Sequence, residues 1–136
     1  MKFSRILFNV AGVWGVILLL PLYFIFDLIG QQDPPPITHP AFFYGFVGLG
    51  LAWQVVFFII ARDPLRFRPL MIPSIMEKIG YGGAVVVLYA QGRMHGQDLA
   101  FGLADFLFAA LFAVAYVRTA RATAWRTATI DSGSGS

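Results

Sequence analysis

Four stretches of the chain are almost unbroken in apolar residues: positions 6–26, 41–61, 75–88 with their flanks, and 99–117. Each approaches the roughly 20 residues that about 30 Å of hydrocarbon requires, so each predicts a membrane-spanning helix. Helices are expected over about 5–28, 41–62, 74–92 and 98–120, leaving only short loops and ends. The expected fold is therefore all-α: an integral membrane protein built as a four-transmembrane-helix bundle, one domain over 1–130. The closing "DSGSGS" at 131–136 is small, polar and featureless; it reads as an added linker without functional content. The first run follows Lys2 and Arg5 as a secretory signal would. It is too long for a signal's apolar region, and no small-x-small cleavage pattern follows, so a retained helix is expected.

Composition agrees with this pattern. Of 136 residues, 58% are hydrophobic, 16% aromatic and 12% charged, against roughly 25% charged in a soluble domain. The mean hydropathy is +0.72. There is no cysteine, which removes disulfides, thiolate metal sites and thiol nucleophiles together.

Charge orients the expected bundle. Lys2 and Arg5 precede the first helix, Arg62, Arg66, Arg68 and Lys78 surround the second connection, and Arg118, Arg121 and Arg126 follow the fourth helix, while the other two connections hold only Arg93. A split of nine to one places both termini and the Arg-rich loop in the cytoplasm by the positive-inside rule. A bacterial inner membrane, crossed several times, is the expected location. The loop "RDPLRFRPLMIP" has two readings. Its prolines stop a helix and its arginines sit at the level of anionic headgroups, as a topology anchor; or Arg62, Arg66 and Arg68 grip an anionic lipid or a partner. Directly after it, Ser74 and Glu77 have the spacing of a capping box, which would start the third helix at Ser74.

Polar residues at membrane depth carry the candidate chemistry, because they are costly there and face protein more often than lipid. Helical periodicity groups Asp105, Ala109, Ala113 and Tyr116 on the fourth helix, and Glu77, Tyr81, Ala84, Leu88 and Gln91 on the third. It groups Val47, Gly50, Gln54, Phe58 and Ala61 on the second, and Asn9, Val13, Val16, Leu20, Tyr23 and Asp27 on the first. With these stripes turned inward, two sites are expected. An outer one would gather Asp27, Asp105 and Tyr23 with His39, Gln91 or Arg93; an inner one would gather Gln54, Glu77 and Tyr81 beneath the arginines. Two carboxylates in a low-dielectric site do not both ionise unless a cation joins them, so the outer site would hold a proton, an amine, a metal or Arg93. Its plainer alternative is a carboxylate that only holds helices in register. Small pairs such as Gly48 with Ala52 and Ala109 with Ala113 fit close packing within the bundle or a face between copies.

Other chemistries have little support. His39 and His95 lie in loops without metal-ligand spacing, so no metal is expected, and no span holds a histidine for haem. No cofactor is expected. "GYGG" lies inside a span and opens no phosphate-binding turn, and the basic charge needs no nucleic-acid partner to explain it.

The runs "ARDPLRFRPLMIPSIMEK", "YAQGR" and "DFLFAALFAVAY" together resemble uncharacterised bacterial four-span membrane proteins, a likeness that implies no activity. In architecture alone the chain is similar to the emopamil-binding and sigma-2-like (EXPERA) group. That likeness implies binding or isomerisation of sterols and binding of lipophilic amines, with Asp27 and Glu77 as the carried acids. Three function classes follow. The chain is expected to be a structural or accessory subunit, in a homo-oligomer or a larger membrane complex and surrounded by membrane lipids. Alternatively it binds, or binds and isomerises, a lipophilic small molecule in an aromatic-lined bundle cavity with an interior carboxylate; or it moves protons or cations.

Overall fold

The structure is a computed structural model describing residues 2–135; it is 84% helical, with no strand among the described residues. The order is α1 (Lys2–Leu19), a 3-10 turn (Leu20–Tyr23), α2 (Phe26–Gln32), α3 (Pro40–Arg62), a second 3-10 turn (Arg68–Leu70), α4 (Met71–Ala90) and α5 (Gly96–Gly133). Lys2–Tyr23, Pro40–Arg62, Arg68–Ala90 and Gly96–Gly133 are four helical stretches long and apolar enough to cross a membrane. Ile17, Leu49, Met76 and Leu107 are among the many large apolar side chains left exposed around them. The faces they lie on suit acyl chains, where no water selects against them.

The helix ends follow from local chemistry. Pro21 lacks an N–H to donate to Ile17, and the α-helix gives way at Leu19 to the 3-10 turn that contains it. The chain then turns through Phe24 and Ile25 and starts α2 afresh, with Asp27 in its first turn. Asp27 is thus not on the first span, as its helical register with Tyr23 predicts; the proline ends that register before reaching it. Pro40 occupies the first turn of α3, where a missing N–H costs nothing.

The start of α4 is a second correction. It lies at Met71, so Ser74 sits inside the helix, where its hydroxyl donates to the Leu70 carbonyl at 2.7 Å. No side chain caps the helix, and the expected Ser74–Glu77 box does not form. Pro73 is the cause of the misreading: in a first turn its ring lacks only an N–H that would be unpaired anyway, so it permits an earlier start.

Packing divides the bundle into two hairpins. α1 lies along α3 and α4 along α5, whereas α3 and α4 touch only briefly. Between α4 and α5 the backbones come so close that a Cβ on Gly82 would stand 3.0 Å from the Gly102 carbonyl, and one on Gly102 would stand 2.7 Å from Val85 Cγ1. The hairpins join at the end carrying the Arg-rich connection, here called the basic end. There Phe8 of α1 stacks on Phe112 of α5, centroids 4.3 Å apart, and Phe57 of α3 meets Phe112 edge-on at 5.2 Å. Ile60, Met71 and Ala115 fill in around these three fully buried rings.

The inward faces differ from the expected stripes on α1 and α5, and most of all on α4, which buries Met71, Ser74, Lys78, Gly82 and Val85 while Ala84 and Gln91 are exposed. α1 buries Ser4, Leu7, Phe8, Ala11, Gly12 and Gly15, leaving Asn9 and Val13 outside. α5 buries Asp105, Ala109, Phe112, Ala115 and Thr119, with Ala113 outside. In α1 and α5 the packing follows large rings and small residues, which decide how closely helices approach, rather than the scattered polar positions.

Candidate functional site

A cavity of about 260 Å³ lies between the two hairpins on the side of the Phe8–Phe57–Phe112 cluster away from the basic end. α1 contributes Trp14, Gly15, Leu18, Leu19 and Leu22; α3 contributes Phe46, Gly50 and Gln54; α4 contributes Glu77, Lys78 and Tyr81; α5 contributes Phe101 and Asp105. The cavity therefore brings the expected inner trio, Gln54, Glu77 and Tyr81, together with Asp105 of the expected outer set.

Its charged centre is Lys78, which is only 4% exposed. The ammonium nitrogen lies 3.4 Å from Asp105 Oδ1, to which it donates, and 3.6 Å from Glu77 Oε2. It also lies 5.3 and 5.6 Å from the ring centroids of Phe57 and Phe108. Asp105 is about nine residues inside α5 and Lys78 about seven inside α4, or roughly 13 and 10 Å at 1.5 Å per residue. The cluster sits deep within helices apolar enough to cross a membrane, and in such surroundings charges persist only when paired. By sequence Lys78 reads as a cation at the helix end, next to Glu77. The signal that places it inside is its register with Gly82 and Val85, the small and β-branched positions that face α5.

Gln54 is 1% exposed. Its amide Nε2 donates to the Gly50 carbonyl at 2.7 Å, while Oε1 is buried without a hydrogen-bond partner. Gly15 makes this possible: a Cβ there would overlap the Gln54 carboxamide. Glu77 Oε2 is the other buried side-chain atom without a hydrogen bond among the described residues, and the nearby Lys78 is aligned on Asp105 instead. Both orphaned atoms are acceptors. The arrangement can thus receive a donor, or hold and pass on a proton, within an otherwise apolar chamber.

The remaining candidates lie elsewhere. Asp27 is exposed on α2, outside the cavity lining. Tyr23 stacks on Tyr44 at 5.9 Å, in an aromatic group with Phe26 and Phe43 that ties the end of α1 to α3. Gln91 is exposed beyond the end of α4. Asp27, Tyr23, Gln91 and Arg93 therefore do not assemble with Asp105; the break at Pro21 turns the first two aside. His95 Nε2 lies 2.9 Å from Asp33 Oδ1 and His39 pairs with Thr38. No cluster of three or more metal-ligating His, Cys, Asp or Glu side chains occurs among the described residues.

The loop arginines have separate local roles. Arg68 donates to the Tyr116 carbonyl at 3.0 Å and its guanidinium lies 3.7 Å from that ring's centroid, tying the loop to α5. The Arg66 guanidinium rests over Phe67, and Arg62 is exposed at the end of α3. Comparison with known proteins adds no parallel: no protein-family model, curated protein or solved structure matches the chain.

Proposed function

We propose that this is a four-span membrane protein that binds a lipophilic amine in the cavity between its two hairpins. The observation that carries the reading is the acceptor surplus: two carboxylates share one ammonium, and two buried acceptors, Gln54 Oε1 and Glu77 Oε2, receive no hydrogen bond. A protonated amine supplies a donor and the missing positive charge together, and its apolar part matches the leucines and aromatic rings of the walls. A volume of about 260 Å³ suits an occupant of modest size.

Membrane orientation is part of the proposal. With Lys78 inside the bundle, eight cations remain around the basic end against Arg93 at the far end, which favours a cytoplasmic basic end, both termini included, in a bacterial inner membrane. A purely structural role in an oligomer or larger complex draws on the apolar exterior, which lipid covers equally well. Transport of protons or cations draws on the acids, but the stacked rings below the cavity oppose a path to the basic end.

Titration of the detergent-solubilised protein with N,N-dimethyldecylamine, followed calorimetrically, tests the reading against decan-1-ol as the neutral counterpart. Saturable binding of the amine, at least about tenfold tighter than the alcohol and lost in Glu77→Gln/Asp105→Asn, is expected. Equal binding of amine and alcohol, or an amine affinity unchanged in the double variant, refutes it.

A further inference from the structure

The way each helix distributes its lining gives the cavity a direction, which deepens the reading of the cavity as a binding site and rests on it. On α3 the lining runs from Gln54 to Phe46, away from the basic end; on the antiparallel α5 it runs from Asp105 to Phe101 in the same spatial sense. α4 passes from Glu77 to Tyr81, and α1 from Gly15, which accommodates the Gln54 carboxamide, to Leu22. On α3, α4 and α5 the polar end is nearer the basic end and the aromatic end is farther from it, while the α1 lining, from Trp14 to Leu22, is apolar throughout. The separation is about 12 Å between Gln54 and Phe46 and about 6 Å between Asp105 and Phe101, at 1.5 Å per residue. The cavity thus has a polar floor, backed by the Phe8–Phe57–Phe112 cluster, and an apolar upper part.

The upper part also contains a seam. α3 and α4 make few contacts, but the rings of Phe46 and Tyr81 stack across the gap with centroids 6.1 Å apart and planes inclined by 28°. Phe46 is 48% exposed, so one side of this pair faces the cavity and the other the surrounding apolar phase. A single swing of Phe46 opens the seam without disturbing either closely packed hairpin.

We infer that the ligand enters head-first from the lipid phase, with its donor group at the floor and its apolar body held at the level of Phe46, and that Phe46 with Tyr81 sets the width of body accepted. This is opposite to a lipid anchored by its headgroup at the surface. The class it selects is a single-headed amphiphile whose polar group is compact enough to reach mid-membrane, such as a simple long-chain amine. Phospholipids, with large permanently hydrated heads, are excluded.

The test uses the full chain in detergent and three probes: decan-1-amine, thin throughout; N,N-diisopropyldecan-1-amine, wide at the head; and 2-(1-adamantyl)ethylamine, wide at the body. The parent protein is expected to bind the first and to bind each wide probe at least about tenfold more weakly, a typical penalty for a tight apolar pocket. Phe46→Ala should recover the body-wide probe by about tenfold while leaving the head-wide probe excluded. Phe46→Leu, a milder change at a half-exposed position, should do the same to a smaller degree and serves if the alanine variant does not fold. If either variant admits the head-wide probe instead, or if neither recovers the body-wide probe, the orientation is wrong while amine binding stands. If decan-1-amine does not bind the parent protein at all, the binding reading falls and this inference with it.

Discussion

Replacing Lys78 with methionine separates its charge from its packing. Methionine keeps an unbranched stem against Phe57 and Phe108 but leaves Glu77 and Asp105 without their shared cation. At separations of 3.4 and 3.6 Å and an effective dielectric of about 20, each attraction is about 5 kcal/mol before desolvation. Burial of the ions cancels much of that gain in the intact cluster, but the variant keeps the buried carboxylates and loses only the compensation. The expected loss is about 3–5 kcal/mol. For a chain of this size that corresponds to a fall in Tm of roughly 10–17 °C, read by far-UV circular dichroism in detergent. The cycle also has an internal control. The Asp105 side chain is 12% exposed and the Glu77 side chain 24%, so neutralising Asp105 should relieve more of the damage. Lys78→Met/Asp105→Asn should therefore be more stable than Lys78→Met, and more stable than Lys78→Met/Glu77→Gln. A Lys78→Met protein as stable as the parent, or a double variant no better than the single, refutes the view that this lysine is held by the two acids.

The other predictions concern backbone approach and the floor of the cavity. Gly102→Ala places a methyl group 2.7 Å from Val85 Cγ1 and should cost about 1–3 kcal/mol in thermal unfolding. Gly80→Ala meets nothing within 4 Å and should be neutral or stabilising by up to about 1 kcal/mol, as for an exposed helical glycine. Gly15→Ala displaces the Gln54 carboxamide from its seat and should weaken N,N-dimethyldecylamine binding by about tenfold without loss of helix, a misplacement effect. Combining it with Gln54→Ala should recover Tm but not binding, as titration and circular dichroism on the same samples will decide. Ser74→Ala removes one hydrogen bond inside α4 and should cost about 1 kcal/mol, with hydrogen exchange at the start of the helix unchanged; fraying there would restore the capping box.

Much of the fold is legible because it depends on long, repetitive features. Four apolar runs identify four helices capable of spanning, and no single residue alters that result. Gln54 and Asp105 are recognisable as inward-facing because a polar group in a long apolar run has few places to go. The partnering of helices is not legible in this way. It depends on where backbones approach, and Gly12, Gly15, Gly82 and Gly102 matter only through what faces them: Phe58, Gln54, the Gly102 carbonyl and Val85. Of these glycines only Gly15 falls in a small-xxx-small pair, with Ala11, whereas Gly80 pairs in the same way with Ala84 and faces nothing within 4 Å.

The site itself was concealed by one boundary. Placing the start of α4 at Ser74 makes Glu77 a capping partner and Lys78 a cation near the helix end, so each has a sufficient local explanation. The actual start at Met71 is three residues earlier, about 4.5 Å along the axis. That shift removes the cap and carries both residues into the span. Inside it their ordinary explanations fail: a carboxylate and an ammonium must be paired there, and the other partner in reach is Asp105. The inward direction of Asp105 can be read from its own helix, but its meaning depends on the boundary of another. Pro73, read as a helix breaker where it is a tolerated first-turn residue, therefore separates a sequence that reads as holding two acidic sites from a fold with a single charged cavity.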